Sequence, residues 1–282
     1  MLDLPALGTD PLATTVAGLE PTEVGSGEST KERTRRWLPG LLGVGLLLVA
    51  WQVVGMTIYS ETRTIPAPTE ILRVMATDGW AFYQPNLETT VREAAVGWLW
   101  GNAAAIAVAF AFVQAPFLEK ALMQLAVTSY CLPILVLGAI LNIQFVGDTP
   151  KVILAAVSVF FTTLVGMQLG LRSADRTSLD LVRAYGGGSW TQLRKVRFRA
   201  SLPSLFAGLR IAAPAAVLGA IIGEWMGSEN GLGVAMINAQ QSLSIERTWG
   251  IALIATAVSG VGYAATALVG NLLTTWAPKV KR

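Results

Sequence analysis

Residues 172–199 carry seven Lys and Arg side chains against two acids, Asp175 and Asp180, inside otherwise apolar sequence. Cationic groups at that density hold anions: lipid headgroups, or acidic side chains on another protein. A basic cluster alone is no catalytic constellation. There is no histidine, which removes the commonest metal ligand and the commonest general base. The one cysteine, Cys131, excludes an intrachain disulfide or a cysteine metal cluster. No Gly-x-x-x-x-Gly-Lys-Ser/Thr phosphate loop, no Gly-x-Ser-x-Gly and no paired acids within an apolar run occur. The chain is expected to hold no metal, no cofactor and no catalytic group.

The remaining residues with chemical potential are polar groups in or near apolar runs. Asn102, Gln124, Asn142, Gln144 and Gln168 are each costly in hydrocarbon, so each is a candidate for lining a solute path. Each would serve equally as an interhelical hydrogen bond. Glu224 and Trp225 end the fifth apolar run, where an acid contacts a partner or caps a loop.

The elements that must position these groups are membrane helices. The chain is 53% hydrophobic and 14% charged, with mean hydropathy +0.54, against about 25% charge in a soluble domain. Six runs approach the roughly 20 residues needed to cross hydrocarbon: 38–58, 89–113, 118–143, 152–171, 203–226 and 248–273. Lipid offers no partners to backbone groups, so these runs are helices, and the fold class is an all-α polytopic membrane protein. Small residues at Gly101 to Ala105 and Ala212 to Ala216 fit close helix packing, and Pro133 and Pro214 are expected to kink their helices. With the N-terminus inside, sixteen Lys/Arg fall on the inner side and five outside, so the positive-inside rule puts both termini and the 172–199 segment in the cytoplasm. The sequence pI near 9.2 therefore reflects short basic loops and not a nucleic-acid surface. Residues 1–36 read as a disordered cytoplasmic tail, 37–276 as the membrane domain and 277–282 as a basic tail. Outside, Ile65-Pro66-Ala67-Pro68 is extended, Thr69 caps a short helix, and Gly231-Leu232-Gly233 turns the chain back towards the membrane.

The 172–199 segment reads as an elbow of two short helices. Thr177-Ser178-Leu179-Asp180 and Ser189-Trp190-Thr191-Gln192 both fit capping boxes. Leu179, Val182 and Tyr185 share a face by spacing, Gly186-Gly187-Gly188 stops the first helix, and Pro203 suits the first turn of the fifth span. Residues 189–197 then form the second short helix. Basic residues on such an elbow face either lipid headgroups or a protein.

The elbow resembles the cytoplasmic loop of binding-protein-dependent ABC importer permeases: Glu-Ala-Ala, three residues, Gly, nine residues, Ile-x-Leu-Pro. Asp180 stands at the Glu, Gly186 at the Gly and Val196 at the Ile. Leu181 and Val182 replace the two alanines, and Arg199 replaces the proline. The run from Ala200 through Pro203 and Gly208 to Arg210 is also similar to that family, and the Ile65-Pro-Ala-Pro-Thr-Glu-Ile-Leu segment, residues 130–147, and Gly223-Glu224-Trp225 before Gly231-Leu232-Gly233 resemble its nitrate/sulfonate/taurine branch. The resemblance spans roughly Trp37 to Trp276. It implies a permease subunit in the bacterial inner membrane, paired with a second permease subunit, the same chain in preference to a different one. It implies two cytoplasmic ABC ATPases holding ATP and Mg, and an extracytoplasmic solute-binding protein. Asp180, Tyr185, Gly186, Ser189, Trp190 and Gln192 would be the coupling segment. Asn102, Asn142, Gln144 and Gln168 would line the path, and Glu224 and Trp225 would meet the binding protein or form an outer gate. The implied cargo is a small organic or oxyanionic solute: a sulfonate, taurine, nitrate, or a pyrimidine or vitamin precursor. The competing reading is a secondary transporter without an ATPase, which needs charged pairs within the spans.

Overall fold

The computed structural model describes residues 30–57 and 64–277, and every regular element among them is helical. The helices are α1 (Thr30–Thr57), α2 (Pro68–Asp78), α3 (Trp80–Gln114), α4 (Pro116–Tyr130), α5 (Ile134–Gln144), α6 (Thr149–Arg172), α7 (Arg176–Ala184), α8 (Ser189–Trp225), α9 (Leu232–Gln241) and α10 (Ile245–Leu273). Among the described residues α3, α6, α8 and α10 are long and apolar enough to cross a membrane. α1 carries a shorter apolar stretch, Leu42–Thr57. Residues 30–36, expected in the disordered tail, are helical. The rest of that tail, 1–29, and residues 278–282 of the basic tail lie outside the described residues. Residues 1–51 and 52–282 form separate units, and the second contains α2 to α10.

The third expected span, 118–143, is not one helix. It breaks at Cys131-Leu132-Pro133 into α4 and α5. Pro133 lacks an N–H and clashes with a preceding helical turn. It becomes the N-cap of α5, while Cys131 N–H closes α4 on the carbonyls of Val127 and Thr128. Instead of kinking a helix, Pro133 ends one. The prolines of α8 behave otherwise: Pro203 and Pro214 both lie inside a continuous helix. Thr69, expected as a cap, lies within α2, whose N-cap is Ala67; its hydroxyl accepts from Gln52 Nε2 at 2.9 Å.

α6 is the spine of the unit, packed most extensively against α8 and next against α3. Glycines make the approach possible. A methyl added at Gly97 or Gly101 of α3 would collide with Ala155, Ala156 or Val159 of α6. On the other flank, one added at Gly219 or Gly223 of α8 would meet the backbone of Ala155 or Lys151 at 2.7–2.8 Å. Each pair is a small-xxx-small repeat, which lets helix backbones touch without a hydrophobic driving force. Ala155, Val159, Ala216 and Ala220 fill the contact. At the elbow end, Leu164, Met167 and Leu171 of α6 pack with Leu193, Leu205 and Leu209 of α8. A buried hydrogen bond crosses the α3–α6 seam: Thr163 donates to Asn102 Oδ1 at 2.5 Å, while Asn102 Nδ2 donates within α3 to the Trp98 carbonyl at 2.7 Å.

Gly101→Leu is expected to destabilise the protein by about 3 kcal/mol or more, because overpacking here must push two backbones apart. Gly208→Ala is expected to be near neutral, since its added methyl meets nothing closer than 3.5 Å. Thermal unfolding in detergent, with membrane abundance, distinguishes the two.

Candidate functional site

At one end of the bundle α7 and the foot of α8 build the elbow. α7 is capped by Asp175, whose carboxylate accepts from Ser178 N–H at 2.9 Å and Ser178 Oγ at 3.1 Å. The Ser178 backbone bond holds the Asp175 carboxyl below its ordinary range. The box expected at Thr177 is therefore wrong by two residues: Thr177 is already helical, and Asp180 stands exposed in the middle of α7. Gly186 N–H bonds the Arg183 carbonyl and Gly187 N–H the Val182 carbonyl, both at 2.8 Å, with Gly186 at φ +77°. This Schellman closure requires the left-handed conformation at Gly186 that glycine adopts freely.

The second capping box is also absent. Gly188 is the N-cap of α8, and Ser189 is its first helical residue. Gln192 is buried and donates to the Leu179 carbonyl at 3.3 Å, tying α8 to α7. Leu193 is buried against α6. The expected face of Leu179, Val182 and Tyr185 splits: the first two are half-buried, while Tyr185, the C-cap, is 85% exposed. Leu181 and Trp190 are also exposed, at 58% and 63%, so the elbow shows apolar side chains on a fixed base. The expected second short helix differs too: Leu193–Arg197 is a turn of π-helix, and α8 runs through it unbroken. Arg172 pairs with Glu119 of α4, and Arg197 reaches the Leu171 carbonyl.

At the far end of the bundle is a charge cluster that sequence reasoning missed. Glu93 of α3, Lys151 of α6 and Glu224 of α8 are all buried. Lys151 Nζ lies 3.5 Å from Glu93 and 3.1 Å from Asp148, which also takes Arg92 Nη2 at 2.7 Å. Both Glu93 oxygens lack a hydrogen-bond partner, so Lys151 is the cation that compensates this carboxylate. Glu224 is fully used. It accepts from Thr90 Oγ1 and from Gly233 N–H, each at 2.5 Å. Thr90 Oγ1 accepts Leu232 N–H at 2.9 Å and Asn86 Oδ1 accepts Gly231 N–H at 3.0 Å. Side chains of α3 and α8 thus satisfy the open N–H groups at the start of α9, and a carboxylate meets the positive end of its dipole. Nearby, Arg247 grips Asp78 in a bidentate pair at 2.5 and 2.8 Å and holds its carboxyl below the ordinary range.

The expected path residues do not converge. Asn102 is consumed in the α3–α6 seam. Gln168 is buried, with its carbonyl oxygen unpartnered. Gln124 and Gln144 are exposed. Asn142 donates to its own helix at Gly138 and lines a polar cleft of roughly 650 Å3 with Arg92, Asp148, Lys151 and Asn230. A second hollow, roughly 780 Å3, lies between α3, α8 and α10 and is walled by Trp98, Phe206, Val217 and Val261. None of the four expected path residues lines it. Glu224 is too buried to meet another protein directly, whereas Trp225 is 38% exposed beside it. Among the described residues no cluster of acids, cysteine or histidine could hold a metal.

Long apolar helices with glycine-faced seams and a structured basic elbow define an all-helical, multi-pass membrane protein. The chain belongs to the family of binding-protein-dependent transport system inner membrane components, whose profile matches residues 101–278, elbow included. It is a transmembrane permease component of the ABC importer class. A probable ABC transporter permease of Haemophilus influenzae is 29% identical over 225 residues, 79% of this chain and 91% of that protein. The formylaminopyrimidine transport permease ThiX of Halalkalibacterium halodurans is 25% identical over 235 residues, 83% and 94% of the two chains. SsuC of Bacillus subtilis, named for aliphatic sulfonates transport, is 26% identical over 213 residues, 73% and 75%.

Lys151→Met is expected to cost about 3–5 kcal/mol by stranding a buried carboxylate, and Glu93→Gln/Lys151→Met to recover most of that loss. A double-mutant cycle by thermal unfolding checks it, with additive losses as the contrary result.

Proposed function

We propose that this chain forms one half of the membrane path of an ATP-driven solute importer in a bacterial inner membrane. In this reading α1 and the α4–α5 pair complete six crossings, both termini are cytoplasmic, and the elbow faces the cytoplasm. A second copy of the chain supplies the other half. Cytoplasmic ATPases, which bind the ATP and Mg that this chain has no loop to hold, dock on the elbow. An extracytoplasmic binding protein delivers the solute at the far end, where Trp225 and the polar cleft are presented.

One observation carries the reading: Leu181, Tyr185 and Trp190 are exposed on an elbow whose base is immobilised by Asp175, Gly186, Gln192 and Leu193. Exposed apolar side chains on a rigid, basic support suit a protein groove better than headgroups alone. Of the coupling residues, Tyr185, Trp190 and Asp180 would touch the ATPase, while Gly186, Ser189 and Gln192 would set the angle of the elbow. The solute is a small organic molecule or oxyanion. The relatives named for a formylaminopyrimidine and for sulfonates support that class. The cleft sets Asp148 and Glu229 against Arg92 and Lys151, so it offers no surplus of positive charge, which favours an organic cargo over nitrate.

The buried Glu93–Lys151 pair is the kind of feature a secondary transporter would use. Transport by the purified chain in vesicles with no ATPase would favour that reading. Tyr185→Ala/Trp190→Ala is expected to reduce co-purification of the ATPase encoded beside this chain by about tenfold or more, since each lost interface anchor costs more than about 1 kcal/mol, with membrane abundance unchanged. Undiminished co-purification would count against docking on the elbow. Calorimetry on the neighbouring binding protein identifies the solute.

A further inference from the structure

The turn at Leu193–Arg197 joins the elbow to the membrane-crossing part of α8. Phe198 N–H bonds the Leu193 carbonyl, five residues back, so one extra residue is accommodated without breaking the helix. Its effect can be read from burial. Leu193 and Ser201 are 2% and 0% exposed, and both face α6: Leu193 packs with Leu171, and Ser201 lies against Gly170. Eight residues of ordinary α-helix turn through about 800°, roughly 80° past two full turns. In that register Leu193 would leave α6 whenever Ser201 touched it. The wider turn absorbs the excess and lets both rest on the same neighbour. Gln192, one residue earlier, then reaches the Leu179 carbonyl of α7. Wider turns of this kind inside helices occur frequently at functional sites.

We propose that the π-turn at 193–197 is the positioning device of the elbow. It sets the direction in which Leu181, Tyr185 and Trp190 point relative to the crossing helices, and so the angle at which a cytoplasmic ATPase is held. This rests on the proposed docking role of the elbow. Removing one residue restores the α-register and swings everything before it by about 100°. The crossing part of α8, fixed by its seams with α6 and α10, stays in place.

The test uses full-length protein carrying Cys131→Ser, since Cys131 is exposed. Leu193→Cys and Ser201→Cys are each probed with a membrane-impermeant maleimide in inside-out vesicles, with and without deletion of Lys195. Both sites are expected to be protected in the undeleted chain. After deletion Leu193→Cys should become reactive while Ser201→Cys stays protected, and co-purified ATPase should fall about tenfold, an ordinary coupling magnitude. Deletion of Val196 makes the same rotation without losing a charge, and stands in if the first variant does not insert. Continued protection of Leu193→Cys, or wild-type ATPase binding despite its exposure, overturns the proposal. Should Tyr185→Ala/Trp190→Ala leave ATPase binding intact, the docking role itself fails. If that variant loses binding and the deletions keep it, only the π-turn inference fails.

Discussion

Everything in the larger unit depends on α6 being approached at backbone distance on two sides. In hydrocarbon, apolar side chains gain little by leaving lipid for each other, so helices associate through close packing and a few polar bonds. Gly97 and Gly101 on one flank and Gly219 and Gly223 on the other make α6 the shared wall of both seams. Once those seams are set, the positions of the remaining groups follow. Asn102 meets Thr163, Glu93 meets Lys151, and Glu224 is delivered to the start of α9. The same spine carries the elbow, because Leu193 and Ser201 of α8 rest on its lower turns.

The two ends of the bundle use polar chemistry differently. At the elbow, polar groups are spent on local closure: Asp175 at one helix start, the Gly186 turn at its end, Gln192 across the joint. That leaves aromatic surface outward and rigidity beneath it. At the far end, charge is buried. A buried ion pair is weak support for stability, because desolvation offsets much of its attraction. What the Glu93–Lys151 pair does supply is a tie between α3 and α6, since Glu93, whose oxygens have no hydrogen-bond partner, depends on Lys151.

The elbow is legible in sequence because its signals are local. Glycines stop a helix wherever they stand, and the spacing from Asp180 through Gly186 to Val196 joins several residue types. The caps are misread for a related reason. Thr177 and Ser189 both satisfy the box pattern, but Asp175 and Gly188 stand just before them and take the extended conformation first. The break before Pro133 is half legible, as a proline whose consequence is larger than a kink. The charge cluster is not legible, because Glu93, Lys151 and Glu224 come from three separate helices and each looks like an ordinary interfacial charge. The small-residue repeats at Gly97/Gly101 and Gly219/Gly223 were the available signal: they fix which faces of α3, α6 and α8 meet, and the three charges lie on those faces.

The break between α4 and α5 has a consequence for hydration. Eleven residues of α5 extend about 16 Å and fifteen of α4 about 22 Å, and neither length crosses hydrocarbon about 30 Å thick. Where the two together traverse the bilayer, the non-helical Cys131-Leu132-Pro133 joint falls at depth, with the Leu132 N–H given no backbone partner. Lipid cannot solvate such groups. Cys131 and Leu132 are exposed on this chain, so the joint must look onto a wet lumen or onto another polypeptide, and that side of the subunit is where acyl chains are kept out.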